Sequence, residues 1–218
     1  MGHRRVPRAQ NSRPLMVVAA LVMLMTACSG GRPSSILGDT TYAPDDGPLQ
    51  VAVGEGGFAF APRKRHGEWS GSFGQFPLCT SNDGALVRLV GVNPNVVVKP
   101  DQFAVWTHHV AAGKTESQSF ISALGSPPEW KETYADTAYG GRWRRGATGQ
   151  VSQTCDEAEA GSPGYTELVF VLTAHRTGAE LRSVTVEYSV DDRRYRTRIP
   201  WQMTLCGTSK ALRQTCRT

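Results

Sequence analysis

The stretch from Arg182 to Cys206, RSVTVEYSVDDRRYRTRIPWQMTLC, constrains the fold more than any other part of the chain. Its side chains alternate with period 2 on both sides of Asp191-Asp192, which predicts two strands joined by a tight turn. With Val190 opposite Arg193, Tyr188 faces Tyr195, Val186 faces Thr197 and Val184 faces Ile199, all on one side. Glu187 then meets Arg196, and Thr185 meets Arg198, on the other side. Aromatic and opposite-charge cross-strand pairs each contribute about 0.2–1 kcal/mol, and a one-residue slip would turn every apolar side chain into water. Pro200 has no N–H to give a ladder, so the strand is an edge or kinks there, with Trp201 covering the end of the core.

The rest of the chain repeats the theme. Leu49 to Val53, Ala85 to Val92, Val96 to Val98 and Phe103 to Val110 read as short strands separated by Gly, Pro, Asn and Asp turns. Thr166 to Leu172 is the most apolar strand signal and implies a central position buried on both faces. Cys155-Asp-Glu-Ala-Glu reads as an acidic turn. Gly67 to Gln75 (GEWSGSFGQ) is Gly/Ser-rich with isolated aromatics, and it has no G-x-S-x-G nucleophile elbow. The expected fold is a single all-β, immunoglobulin-like antiparallel sandwich of about seven to nine strands, spanning residues 49–206.

Upstream of that domain the sequence reads as an address. Arg4, Arg5, Arg8 and Arg13 precede an uncharged apolar run from Leu15 to Ala27, too short for a bilayer span and of signal-peptide length. Met25-Thr26-Ala27-Cys28-Ser29-Gly30-Gly31 resembles a bacterial lipobox, with Cys28 as the acylated first residue of the mature chain. Met25 stands where Leu is usual. Arg4-Arg5 is followed by Val6-Pro7 rather than the apolar-aromatic pair of twin-arginine export, so general secretion is expected. Residues 1–27 are thus a lipoprotein signal peptide, and 28–48, rich in Gly, Pro, Ser and Asp, a flexible tether.

The whole chain carries 24 Lys+Arg against 19 Asp+Glu, but the four arginines of the leader account for most of that excess. The mature part is nearly neutral, which argues against a nucleic-acid partner. Of five cysteines, Cys28 belongs to the lipobox. Cys79, Cys155, Cys206 and Cys216 form an even remainder that predicts two disulfides, with three connectivities open. The second would staple the 207–218 tail. No C-x-x-C or neighbouring His supports zinc.

Other chemistry is sparse. Gly54-Glu-Gly-Gly-Phe-Ala59 matches a dinucleotide fingerprint formally, but Pro62 cuts off the helix that pattern must open, leaving a Gly-rich hairpin or bulge. His108-His109 is a tempting metal pair, yet successive strand residues point to opposite faces, so no metal and no cofactor is expected. Tyr139 to Arg145 reads as a basic aromatic loop. Arg142, Trp143, Arg144 and Arg145 are its candidate binding residues, for a glycan, an acidic polymer or lipid headgroups. The competing view of that loop has Trp143 folded back onto the sandwich. Glu116, Glu129, Glu132 and Asp136 are carboxylates available to a glycan-cleaving enzyme, but no spacing singles out an acid/base pair.

Pro77-Leu78-Cys79, Thr166-Glu167-Leu168, Val186-Glu187-Tyr188, Ile199-Pro200-Trp201 and Leu205-Cys206 together resemble actinobacterial lipoproteins of unknown function, over roughly residues 76–206. That resemblance implies export and a β-rich domain and carries no catalytic assignment. The leading expectation is a non-catalytic binding or assembly module held by a lipid anchor on the extracytoplasmic face of the cell membrane. Its partner would be an envelope protein or glycan. An enzyme acting on cell-wall or glycan material and a purely structural envelope protein are the alternatives.

Overall fold

The computed structural model describes residues 47–61, 67–81, 84–111, 122–126, 141–159 and 164–216, and these form an all-β sandwich. Its twelve strands are β1 (Leu49–Val51), β2 (Gly56–Phe60), β3 (Trp69–Thr80), β4 (Val87–Val98), β5 (Gln102–Val110), β6 (Ser122–Leu124), β7 (Arg142–Arg145), β8 (Gln150–Val151), β9 (Tyr165–Ala174), β10 (Ala179–Val190), β11 (Arg193–Ile199) and β12 (Trp201–Leu205). The count exceeds the expected seven to nine because several strands are two or three residues long and Pro200 divides one into β11 and β12.

The first sheet has the order β1-β3-β9-β5-β7, with β6 also on β3; the second has the order β2-β12-β10-β4-β8, with β11 on β10. Every pairing is antiparallel except β2 with β12. Between the sheets lies one core built from Phe73, Phe76, Leu78, Leu168, Phe170, Leu172, Leu181, Val184, Val186, Tyr188, Ile199, Met203 and Leu205. Trp201 packs on its margin, 6.2 Å from Phe76 between ring centroids.

The β10–β11 hairpin holds the predicted register, from Val190 opposite Arg193 to Val184 opposite Ile199. Asp191 and Asp192 take φ of 46° and 65°, the left-handed pair that a two-residue hairpin turn requires. Tyr188 and Tyr195 stack at 5.4 Å on the core side. On the outer side, Arg196 Nη2 lies 3.0 Å from Glu187 Oε1. Tyr188 is fully buried, and its hydroxyl accepts from the Leu49 N–H at 3.3 Å, linking the hairpin to the first strand of the opposite sheet.

As its composition implies, β9 is central, between β3 and β5. Three other segments depart from expectation. The Gly/Ser-rich stretch belongs to the twelve-residue strand β3. A Cβ on Gly71 would come within 2.7 Å of Phe60 and 2.8 Å of Leu205, so glycine lets the two sheets close there. Gln75, with φ of 68°, lies in the register shift between Phe73 and Phe76. That bulge lets two side chains three positions apart both enter the core.

Val96 to Val98 is not separate, since β4 runs on through Pro94. There β10 is its partner on one side, and β8 reaches only Val87 and Arg88 on the other, so the missing N–H interrupts no second ladder. Gly54 to Ala59 forms no hairpin: the chain crosses between sheets, and β2 runs parallel to β12. Cβ atoms on Gly56 and Gly57 would lie 2.8 Å from the Trp201 ring and 2.7 Å from Gln202 Cβ, which explains glycine at both positions.

Both disulfides form within the sandwich, Cys79–Cys155 and Cys206–Cys216. The first joins the end of β3 to the short helix α1 (Cys155–Glu159), where the acidic turn was expected. Thr154 Oγ1 accepts from the Glu157 N–H, and Glu157 Oε2 accepts from the Thr154 N–H. This reciprocal cap satisfies two donors at the helix start. The second disulfide closes the tail, whose Thr215 hydroxyl donates to Glu180 Oε2 and whose Leu212 is buried.

Candidate functional site

The outer face of the first sheet holds the most unusual side chains in the molecule. On β9, Leu168, Phe170 and Leu172 point inward, so Glu167, Val169 and Val171 point outward, yet those three are buried too. Glu167 is paired directly with His108 of β5. His108 Nδ1 and Glu167 Oε1 are 2.8 Å apart, and both side chains are 0 % exposed. The Trp143 ring lies parallel to the imidazole, 3.9 Å away at 6°, and Tyr165 meets it edge-on at 6.1 Å. Val169 and Ala123, with Trp106 and Trp143 against them, extend this layer as a second small apolar cluster.

Gly141 is required at its edge. With φ of 133°, it passes so close that a Cβ would lie 2.7 Å from His108 Nε2. A histidine oriented by a carboxylate is half of a nucleophile-activating constellation. Here both members are sealed from solvent and the imidazole face is covered by indole, so the pair acts as a polar cross-link between β5 and β9.

His109 points to the other face, where its Nδ1 lies 3.0 Å from Thr166 Oγ1. The two neighbouring histidines therefore serve different surfaces, as strand alternation requires. Among the described residues no group of three His, Cys, Asp or Glu is placed to hold a metal.

Arg142 to Arg145, expected in a loop, forms the edge strand β7, paired with Trp106 to His109. Trp143 turns in over His108, while Arg142, Arg144 and Arg145 stay exposed. Guanidinium groups on an edge strand oppose sheet-to-sheet aggregation. Cys28, Glu116, Glu129, Glu132 and Asp136 lie outside the described residues.

A second titratable pair clasps the β9–β5 end of the same sheet. Asp101 Oδ2 accepts from the His175 N–H and stands 2.8 Å from His175 Nδ1. This side-chain hydrogen bond chiefly holds the Asp101 carboxyl below its usual range and raises His175 above its own. Both groups are about half exposed, so the effect is screened. The raised His175 contributes stability at low pH that is lost as pH rises through its folded value. The lowered Asp101 contributes stability at high pH that is lost as pH falls through its folded value. His175→Gln should therefore destabilise more near pH 5 than near pH 9, and Asp101→Asn should abolish the difference; denaturation curves at the two pH values check it.

The outer face of the second sheet is open instead of covered. Arg194, Arg196 and Arg198 alternate along β11 and point outward, with Arg88 on β4 and Arg182 on β10 exposed beside them. Arg182, Arg198, Glu55, Gly56, Pro200 and Gln202 line an open depression of about 290 Å³ at the Pro200 break. Apart from the Glu187–Arg196 pair, none of these arginines makes an ion pair among the described residues. The period-2 spacing of Arg194, Arg196 and Arg198 was visible in the sequence, but it pointed only to their cross-strand partners. No protein-family model matches the chain, and no curated protein shows significant similarity to it.

Proposed function

We propose that the chain is an extracytoplasmic lipoprotein whose sandwich is a non-catalytic binding or assembly module of the cell envelope, held to the membrane through acylated Cys28. The pairing of the cysteines carries the reading. Cys79 bonds to Cys155 and Cys206 to Cys216, so the remaining cysteine of five is the one that follows the apolar leader. Disulfides of this kind persist in oxidising compartments, which agrees with export. A lone acyl chain binds a bilayer marginally, and the two or more carried by a bacterial lipoprotein cysteine anchor stably. A non-catalytic role is supported by the sealed His108–Glu167 pair set against the open, charged face of the other sheet. Cys28→Ala is expected to move the protein out of the membrane fraction or to leave an unprocessed precursor. Normally processed protein that still sediments with membranes would refute the anchor.

A further inference from the structure

We infer that the arginine-bearing outer face of the second sheet lies against an anionic phospholipid bilayer, with Arg182 and Arg198 taking a lipid phosphate in the depression between them. The bilayer in question is the one that holds the chain's own anchor, so the inference rests on the anchored reading above.

Charge and shape come first. Outward residues on one strand are about 6.8 Å apart, so Arg194, Arg196 and Arg198 form a row along β11. Arg88 and Arg182 extend that row across β10 and β4. The carboxylates nearby are Glu187, already paired with Arg196, Glu55 at the rim of the depression, and Asp191 and Asp192 at the hairpin tip beyond Arg194, so the positive charge is greatest toward Arg198 and Arg182. Guanidinium is matched to phosphate oxygens by its planar fork of donors. Val90, at the bulge opposite Glu187, is 44 % exposed on the same sheet, and an interfacial surface commonly mixes such apolar groups with basic ones.

The point where the tether meets the domain comes second. Gly47 packs so closely on the β10–β11 hairpin that a Cβ there would lie 2.5 Å from both Tyr188 Oη and Tyr195 Cδ1. The chain therefore enters the sandwich along the edge strand β11, on that strand's core side, with the arginine row on its other side. Arg142, Arg144 and Arg145 sit on β7, at the far edge of the other sheet.

Neutron reflectometry of the mature, acylated protein on supported bilayers tests this. On phosphatidylcholine mixed with phosphatidylglycerol the sandwich should lie in contact with the headgroups. On phosphatidylcholine alone, or in high salt, it should stand off from the headgroups across a layer of water. Replacing Arg182, Arg194 and Arg198 together by Gln should reduce the contacting population about 100-fold, roughly five-fold per arginine. Equal stand-off on both lipids, or a triple variant that still lies down, would overturn the inference. A chain that stays on neither bilayer fails the anchor instead. The face is then judged by co-sedimentation with phosphatidylglycerol vesicles: binding lost in the triple variant supports it, and no binding overturns it. Binding to an acidic polysaccharide without any dependence on lipid charge also counts against it.

Discussion

Glu167→Ala is expected to lower the free energy of unfolding by about 3–5 kcal/mol, because it removes one member of a fully buried pair held at 2.8 Å. Both His108 and Glu167 are completely enclosed, and the ring is fixed from one side by Trp143. Domains of this kind are stable by about 5–15 kcal/mol in total, so the single variant stands near the limit of folding. A companion variant gives the result its meaning. Replacing His108 and Glu167 together by Leu removes both polar groups, and such exchanges are often neutral or stabilising by about 1–4 kcal/mol. Urea denaturation of the three proteins should therefore show a deep loss for the single variant and recovery for the double. A double variant as unstable as the single one would mean that the pair also holds something an apolar pair cannot.

Loss of the Cys79–Cys155 bridge is expected to be comparably severe. Cys79 and Cys155 are 76 residues apart, and the loop-closure argument assigns such a bridge about 4.5 kcal/mol. Cys206 and Cys216 are 10 apart, for which the same argument gives about 2.7 kcal/mol. The double replacements Cys79→Ala with Cys155→Ala, and Cys206→Ala with Cys216→Ala, should separate by nearly 2 kcal/mol in chemical denaturation. An equal loss, or a larger one from the short loop, would show that native contacts outweigh chain entropy. The Thr80 N–H donates to the Gln153 carbonyl at 2.8 Å beside the longer bridge, so its two ends stay paired locally when the sulfurs are removed.

How much of this was legible depends on the range over which each signal acts. The hairpin turns on local alternation and two aspartates, so its register could be read pair by pair, and the apolar run of β9 could be placed centrally for the same reason. β3 could not. Its glycines thin the apolar pattern because the opposite sheet approaches at Gly71, and the Gln75 bulge shifts the period exactly where a strand reader would count it. The Thr154…Glu157 cap is local as well: Thr154-Cys-Asp-Glu157 carries a capping-box spacing inside a stretch whose composition suggests only an acidic turn. For the site, a glutamate inside Thr-Glu-Leu-Val-Phe-Val-Leu was itself a signal, since a carboxylate in the most buried strand needs a partner. That the partner is His108, and that Trp143 turns inward out of an arginine cluster, depends on strand order, which no local pattern encodes.

The parallel pairing of β2 with β12 governs when the domain can be finished. A polypeptide leaves the ribosome N-terminus first, and here Gly56 to Phe60 must wait for Trp201 to Leu205, nearly the last residues made. Until then one early segment has no ladder, and Cys79 has no Cys155 to oxidise against for much of that time. Contacts between distant parts of the chain slow folding, because the loop must close before the contact forms. The nascent chain is thus kept open by its own topology, and the domain locks only when the final strand arrives.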